Sequence, residues 1–327
     1  MSSPNWSLVL HGGSGVIDRA DLKPEQDAAY RGALARAAEA GAKILRAGGL
    51  ALDAVEAAIH VLEDDPLFNA GRGAVFTADG RNELDAAIMD GATLEAGAVA
   101  GVTRVRNPIS AARAVMERSP HVLLIGDGAD AFAEAEGLAG VEPGYFFVER
   151  RWRALEAELR RDGLAVPARP ADASTDETHA ALAHDEGKRG IVGAVARDVR
   201  GHVAAGTSTG GATGKRWGRV GDSPLIGAGT YASDRSAAVS GTGEGEYFIR
   251  LGVAREICAL VELKGLSLQA AVDEVIQKDL TALGGQGGVI AVAPDGQMAW
   301  SFNTSGMYRA RLAHDHPLEV AIYKDEA

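Results

Sequence analysis

Two hairpin signatures, set far apart in the chain, constrain its fold more than any other feature. Residues 191–196 and 202–206 are strand-like runs joined by Asp198-Val199-Arg200-Gly201, and residues 289–292 and 298–302 are joined across Pro294-Asp295-Gly296. Each pattern predicts two antiparallel strands and a tight turn. Helical periodicity lies between them, at 246–263 and 267–280. Earlier helices are predicted at 25–46, closed by Gly48-Gly49, and at 53–63, where Val55, Ile59 and Leu62 share a face. Another is predicted at 109–118, opened by Asn107-Pro108. Further strands are expected at 6–11, running into the turn His11-Gly12-Gly13-Ser14-Gly15, and at 83–89, 96–105 and 122–125. Hairpins from distant segments, with helices before and between, predict an α+β fold of antiparallel sheets covered by helices. The chain shows no internal repeat.

Between about residues 150 and 190 the texture changes. Charge is dense, Pro167 and Pro170 interrupt, and residues 171–188 are polar and acidic with little periodicity, so an exposed linker is expected there. A net charge of -12 argues against nucleic acid or an anionic membrane as partner. One cysteine, Cys258, excludes an internal disulfide and fits a reducing compartment; its place in an apolar helix suits a small core residue. No stretch nears the roughly 20 apolar residues of a membrane span. The start of the sequence lacks the blocks of a signal peptide, so the cytoplasm is expected.

Several motifs invite a chemical reading and fail. His314-Asp315-His316 lacks partners for a metal, and His179 and His184 fall in the linker, off one helical face. Gly126-Asp127-Gly128-Ala129-Asp130-Ala131 matches a dinucleotide fingerprint in form, but two aspartates in the loop would repel a pyrophosphate; a plain glycine turn is expected. The second half is different. Thr207-Ser208-Thr209-Gly210-Gly211 ends a strand, with Thr207 and Thr209 on one face. Ser240-Gly241-Thr242-Gly243-Glu244-Gly245 ends another and opens a helix, whose first amides suit an oxyanion or a carboxylate. Between them, Arg219-Val220-Gly221-Asp222 offers a guanidinium for a carboxylate and a carboxylate for an ammonium, the two ends of an α-amino acid. Spacing alone favours a mutual salt bridge across that loop.

Longer motifs carry a resemblance. Gly190-Ile191-Val192-Gly193-Ala194-Val195-Ala196, Thr207-Ser208-Thr209-Gly210-Gly211 and Gly218-Arg219-Val220-Gly221-Asp222-Ser223-Pro224 resemble the plant-type L-asparaginases, or isoaspartyl peptidases, of the N-terminal nucleophile hydrolases. Matches at His11-Gly12-Gly13, Leu67-Phe68-Asn69-Ala70-Gly71, Glu83-Leu84-Asp85-Ala86, Gly227-Ala228-Gly229-Thr230-Tyr231-Ala232 and Phe302-Asn303-Thr304-Ser305-Gly306-Met307-Tyr308 extend it over nearly the whole chain. The resemblance implies an αββα sandwich, one domain over 1–327, made as a precursor. That precursor cuts itself between an α-subunit-like part, 1–190, and a β-subunit-like part, 191–327. The new first residue is a threonine whose hydroxyl attacks the substrate amide while its α-amine serves as base.

Carried onto this chain, the cleavage site is Gly190/Ile191, with Thr209 supporting the nucleophile and Asn69 near the cut. Thr242 and Gly243 form the oxyanion hole. Arg219 takes the substrate carboxylate, with Val220 and Gly221 beside it, and Asp222 with Gly245 takes the ammonium, next to Glu244. The resemblance also implies a structural sodium ion wrapped by the backbone carbonyls of Leu62, Glu63, Asp65, Phe68, Ala70 and Arg72. No cofactor for the chemistry is implied. The substrates expected are L-asparagine and β-aspartyl dipeptides, and a homodimer of uncut chains is expected.

One departure falls at the centre. Where the family has Gly-Thr-Val-Gly this chain has Gly190-Ile191-Val192-Gly193. Isoleucine keeps threonine's branch at Cβ, so the strand is expected to form, but it has no hydroxyl. The expectation is therefore an intact fold, no self-cleavage and no hydrolysis. The alternative is a non-catalytic binder of aspartate-like amino acids.

Overall fold

The computed structural model of the protein describes residues 5–17, 19–20, 22–170 and 190–326. Strand β1 (Ser7–Gly15) leads into helices α1 (Pro24–Arg46) and α2 (Ala51–Asp64). Strands β2 (Leu84–Asp90) and β3 (Ala96–Val102), helix α3 (Pro108–Arg118), strand β4 (Leu123–Ile125) and helices α4 (Gly126–Ala135) and α5 (Glu149–Arg161) follow. From residue 190 onward come strands β5 (Val192–Arg197), β6 (Val203–Thr209), β7 (Thr230–Ala232) and β8 (Ala238–Gly243). Helices α6 (Gly245–Leu251), α7 (Val253–Lys264) and α8 (Leu268–Asp273) are next, the last continuing through a π-helical segment, Glu274–Leu280, into α9 (Thr281–Leu283). Strands β9 (Gly287–Val292), β10 (Met298–Phe302), β11 (Gly306–Ala313) and β12 (His316–Tyr323) complete the order.

Eight strands form one sheet in the order β12-β11-β1-β5-β6-β2-β3-β4, and four form another, β10-β9-β8-β7. Of the strand pairs among the described residues, β3 and β4 alone run parallel. The two-residue side-chain period decides the layering. Leu8 and Leu10 of β1, with Val192 and Ala194 of β5, face a core shared with α1, α2 and α3. Val9 and Val195 face the other way, onto Ala238, Ile290 and Val292 of the small sheet. That sheet turns Val239, Val289 and Ala291 outward onto α7 and α8, where Cys258 is fully buried. The result is the α–β–β–α stack that the resemblance implies.

The large sheet draws on both sides of residue 190. β1 lies between β11 and β5, and β2 pairs with β6.

Three local expectations are corrected. The helix expected over 246–263 is two: Gly252 adopts φ 61, a left-handed conformation that closes α6 and opens α7. The strand expected over 6–11 does not stop at the glycine turn; it bulges between His11 and Gly13 and stays paired to β11 as far as Gly15. The segment taken as linker from about residue 150 begins with α5, whose Trp152, Leu155 and Leu159 pack on Phe76 and Phe147. Most of its charges lie on the outer face and conceal the apolar stripe, while Arg151 is buried and donates to the Gly73 carbonyl at 3.0 Å. Residues 171–189, the rest of that segment, with His179 and His184, lie outside the described residues.

Candidate active site at the Gly190–Ile191 junction

Strand register assembles the site. Val192 pairs with Ser208, so Ile191 arrives one step earlier, beside Thr209, and Thr209 in turn pairs with Asp85. Ile191 is almost completely buried. The Gly190 carbonyl oxygen accepts two hydrogen bonds, from Asn69 Nδ2 at 2.8 Å and from Thr209 Oγ1 at 2.9 Å. Neither donor is free to turn. Asn69 Nδ2 also donates to the Gly211 carbonyl at 2.8 Å while its Oδ1 accepts from the Val75 amide at 2.9 Å. Thr209 Oγ1 accepts from the Gly211 amide at 2.9 Å, which leaves its one proton for Gly190. The next carbonyl, that of Ile191, lies 3.0 Å from His11 Nδ1.

Thr242, at the end of β8, is fully buried. Its hydroxyl oxygen accepts from the Ser14 amide at 3.2 Å, and Ser14 Oγ donates to the Thr242 carbonyl at 3.1 Å. The Ser14 bond occupies an acceptor site of the hydroxyl and leaves its proton to be donated. Gly243 has φ 151, and a Cβ there would stand 2.5 Å from Gly287 Cα, so only glycine carries the chain from β8 into α6. Glu244 turns away, its Oε2 accepting from the Gln286 amide at 3.1 Å.

Arg219 does not pair with Asp222 across the loop. Its Nε and Nη2 donate to the two carboxylate oxygens of Glu246 at 3.0 and 3.1 Å, and its guanidinium lies against Gly221. Asp222 is buried against Gly229 and Gly245, whose missing side chains leave room for its carboxylate. Its Oδ2 meets no donor among the described residues. Burial pushes this carboxyl up to about 7, against smaller opposing effects from a backbone hydrogen bond and Arg219. The space between Ile191, Thr209, Arg219, Asp222 and Gly243 is about 10 Å³, barely room for one water. Val220, half-buried, follows Arg219 in the loop.

Behind this space stand two more buried charges. Lys215 Nζ donates to the Glu83 carbonyl at 2.7 Å, and Asp85 accepts from the Gly101 amide at 2.8 Å. Burial holds the lysine below its ordinary pKa and the aspartate above. A larger groove, about 610 Å³, runs beside α4, and none of these groups lines it. The glycine turn expected over 126–131 is instead the start of α4, and its Asp130 is committed there: it accepts from the Thr103 amide and hydroxyl, both at 2.9 Å, and ties α4 to the loop after β3.

The region 62–72 winds tightly around two glycines. Gly71 sits under the Glu63 carbonyl, and a Cβ at Gly73 would stand 2.8 Å from the Pro66 oxygen and closer still to that of Phe68. Among the described residues no group of three or more His, Cys, Asp or Glu gathers at metal-binding distances. No helix among them is long and apolar enough to cross a membrane.

The family model described as asparaginase matches residues 4–322. The chain belongs to the asparaginase family. Among similar proteins, an isoaspartyl peptidase of Salmonella typhimurium is 52% identical over 97% of this chain and 98% of its own length. An isoaspartyl peptidase of Escherichia coli is 50% identical over 98% and 96%, and a plant-type L-asparaginase of Pyrococcus abyssi is 43% identical over 92% and 94%.

The fold of this asparaginase-family chain thus brings Asn69, Gly190, Ile191, Thr209, Arg219, Asp222, Thr242 and Gly243 together, and holds Glu244 apart through Gln286. Sequence reasoning gave no role to His11, Ser14, Lys215 or Glu246. His11 lay in a quoted glycine motif, but its partner 180 residues away is set by the pairing of β1 with β5, which no local pattern announces.

Proposed function

We propose that this chain is an asparaginase and isoaspartyl peptidase scaffold, built for an N-terminal threonine and arrested by Ile191 before its own cleavage. One observation carries the reading. The carbonyl of Gly190 is gripped by two fixed donors, Asn69 and Thr209, as a carbonyl about to become an oxyanion would be. In the cleaving reaction the hydroxyl oxygen of residue 191 adds to the Gly190 carbon. Negative charge then grows on the oxygen these donors hold, the 190–191 C–N bond breaks as the nitrogen takes the hydroxyl's proton, and water hydrolyses the resulting ester to part the two pieces. Isoleucine brings no oxygen, so the step cannot begin.

Downstream groups fit the same chemistry. Thr242 and Gly243 offer donors for the substrate oxyanion, Asp222 an acceptor for the ammonium, and Arg219 a fork for the carboxylate. Asparagine and β-aspartyl dipeptides present those charges around the amide. The names of the relatives agree with this substrate class. The reading includes a homodimer of uncut chains in the cytoplasm, and a sodium ion in the loop 62–72, where glycines 71 and 73 let carbonyls crowd inward. A second reading, a binder of aspartate-like amino acids, is favoured by one observation: the buried Oδ2 of Asp222 lacks a donor and suits a ligand's ammonium.

Intact mass and one substitution test both readings. The unaltered protein is expected as a single chain near 33.8 kDa. Ile191→Thr is expected to split into two pieces on a denaturing gel and to release ammonia from asparagine or cleave a β-aspartyl dipeptide. Splitting without hydrolysis supports the binder. A folded variant that neither splits nor hydrolyses removes Ile191 from the nucleophile's place.

A further inference from the structure

His11 is the one buried histidine at the junction, and the contacts on its two sides give its hydrogen bonds a direction. Nδ1 lies 3.0 Å from the Ile191 carbonyl, which only accepts, so Nδ1 carries a proton. Burial holds the imidazole far below its ordinary pKa, to about 3, so the ring is neutral and Nε2 is bare. Nε2 must then accept from Ser240 Oγ at 3.0 Å. Each hydroxyl has a single proton. With that of Ser240 spent, Thr207 donates to Ser240 at 2.7 Å in preference to the Gly229 carbonyl at 3.3 Å, and Thr230 donates to Thr207 at 2.6 Å in preference to the Ser223 carbonyl at 3.1 Å. All four side chains are completely buried.

The relay crosses both sheets, from β7 to β6 to β8 to β1. It passes over Gly193, which pairs with His11 on one side and Thr207 on the other. A Cβ at Gly193 would lie 2.5 Å from His11 Nε2 and nearer still to Ser240 Oγ, so this position must be glycine for the imidazole and the hydroxyl to meet.

We infer that His11 is the positioning residue for residue 191, holding its carbonyl as an Nδ1–H donor that a one-way relay of Thr230, Thr207 and Ser240 supports from behind. The consequence is geometric. Asn69 and Thr209 fix the peptide plane before residue 191, and His11 fixes the plane after it. Planes fixed on both sides leave neither backbone dihedral of residue 191 free, so its side chain is aimed into the space beside Arg219 and Asp222. His11 performs no proton transfer; it aims the residue that would.

The inference rests on residue 191 being the reacting position, and its test separates the two. In the unaltered chain, nitrogen NMR of labelled histidine is expected to show His11 as the Nδ1–H tautomer, without titration from pH 4 to 8. Ser240→Ala is expected to move the Nε2 resonance while Nδ1 stays protonated. In the Ile191→Thr background, His11→Ala is expected to slow self-cleavage by roughly tenfold or more, the worth of one buried hydrogen bond. His11→Asn, whose amide nitrogen can stand where Nδ1 stood, is expected to recover most of the loss. An Nε2–H tautomer, a titration within that range, or His11→Ala cutting at the parent rate overturns the inference, as does failure of asparagine to rescue. Should Ile191→Thr itself fail to split, the functional reading falls, and the tautomer in the unaltered chain still decides the role of His11.

Discussion

Arg219 and Glu246 meet through two parallel hydrogen bonds, at 3.0 and 3.1 Å, one to each carboxylate oxygen. The arginine is thereby turned toward a mostly exposed partner at the start of α6, and the room beside it shrinks to about 10 Å³. A ligand carboxylate must replace Glu246 to be gripped.

Exchanging the acid for its amide is therefore expected to help binding. Glu246→Gln should tighten aspartate measured by calorimetric titration, because the amide competes less well for the guanidinium. Arg219→Ala should weaken it by about 1.5–3 kcal/mol, the worth of a charge-assisted hydrogen bond. Unchanged affinity in both variants would return Arg219 to a purely structural pair.

The two donors on Gly190 are expected to act on self-cleavage rather than on folding. In the Ile191→Thr background, Thr209→Val or Asn69→Ala should slow chain splitting by roughly 10²–10³-fold, as loss of one oxyanion donor does elsewhere. Time courses on denaturing gels read this directly. Splitting at the parent rate would show that the pair merely satisfies a buried carbonyl.

Asp222 should leave a signature in stability against pH. Its carboxyl is raised to about 7 in the fold, against an ordinary 3.8. Between those values the folded protein holds a proton that the unfolded chain has released, so stability falls as pH rises through this window and is level above it. Asp222→Asn removes that loss. The variant is expected to melt higher than the parent at pH 8 and close to it at pH 4. Aspartate binding should run the opposite way in the parent, strengthening as pH rises through 7 and the carboxylate forms. Parallel melting curves at both pH values would contradict this assignment.

Sodium gives a prediction free of catalysis. If carbonyls of residues 62–72 wrap the ion, replacing sodium with a bulky organic cation at equal ionic strength should lower the melting temperature, and Gly71→Ala should abolish the difference. A Cβ at Gly71 would run into the Glu63 carbonyl. Equal melting in both salts speaks against the site.

Much of this is legible in the sequence. Hairpin turns at 198–201 and 294–296, and the caps of α1 and α3, are local, and local chemistry writes them in consecutive residues. Strands β11 and β12 were harder. The second is an edge strand with half-exposed residues such as His316 and Glu319, so it lacks the alternation of a strand with one buried face. Helix α5 was hidden because Arg150, Arg153, Arg160 and Arg161 dominate its composition, while Trp152, Leu155 and Leu159 carry its packing. At the site, residue types were readable and partners were not. Arg219 was read beside Asp222, its neighbour in sequence, yet Glu246 holds it, because the loop and α6 converge only after both sheets are stacked.

The strand order also says what a cut would do to the molecule. β1, from the segment before Gly190, runs between β5 and β11, both from the segment after it, pairing with β11 from Ser7 to Gly15 and with β5 from Ser7 to His11. The two halves are laced rather than docked. A scission at 190–191 would thus convert one polymer into two without altering the particle: sedimentation, scattering and gel filtration would report the same object before and after. Neither product could be exchanged for a fresh copy without dismantling the larger sheet. Cleavage in such an architecture would be a chemical event with no mechanical consequence.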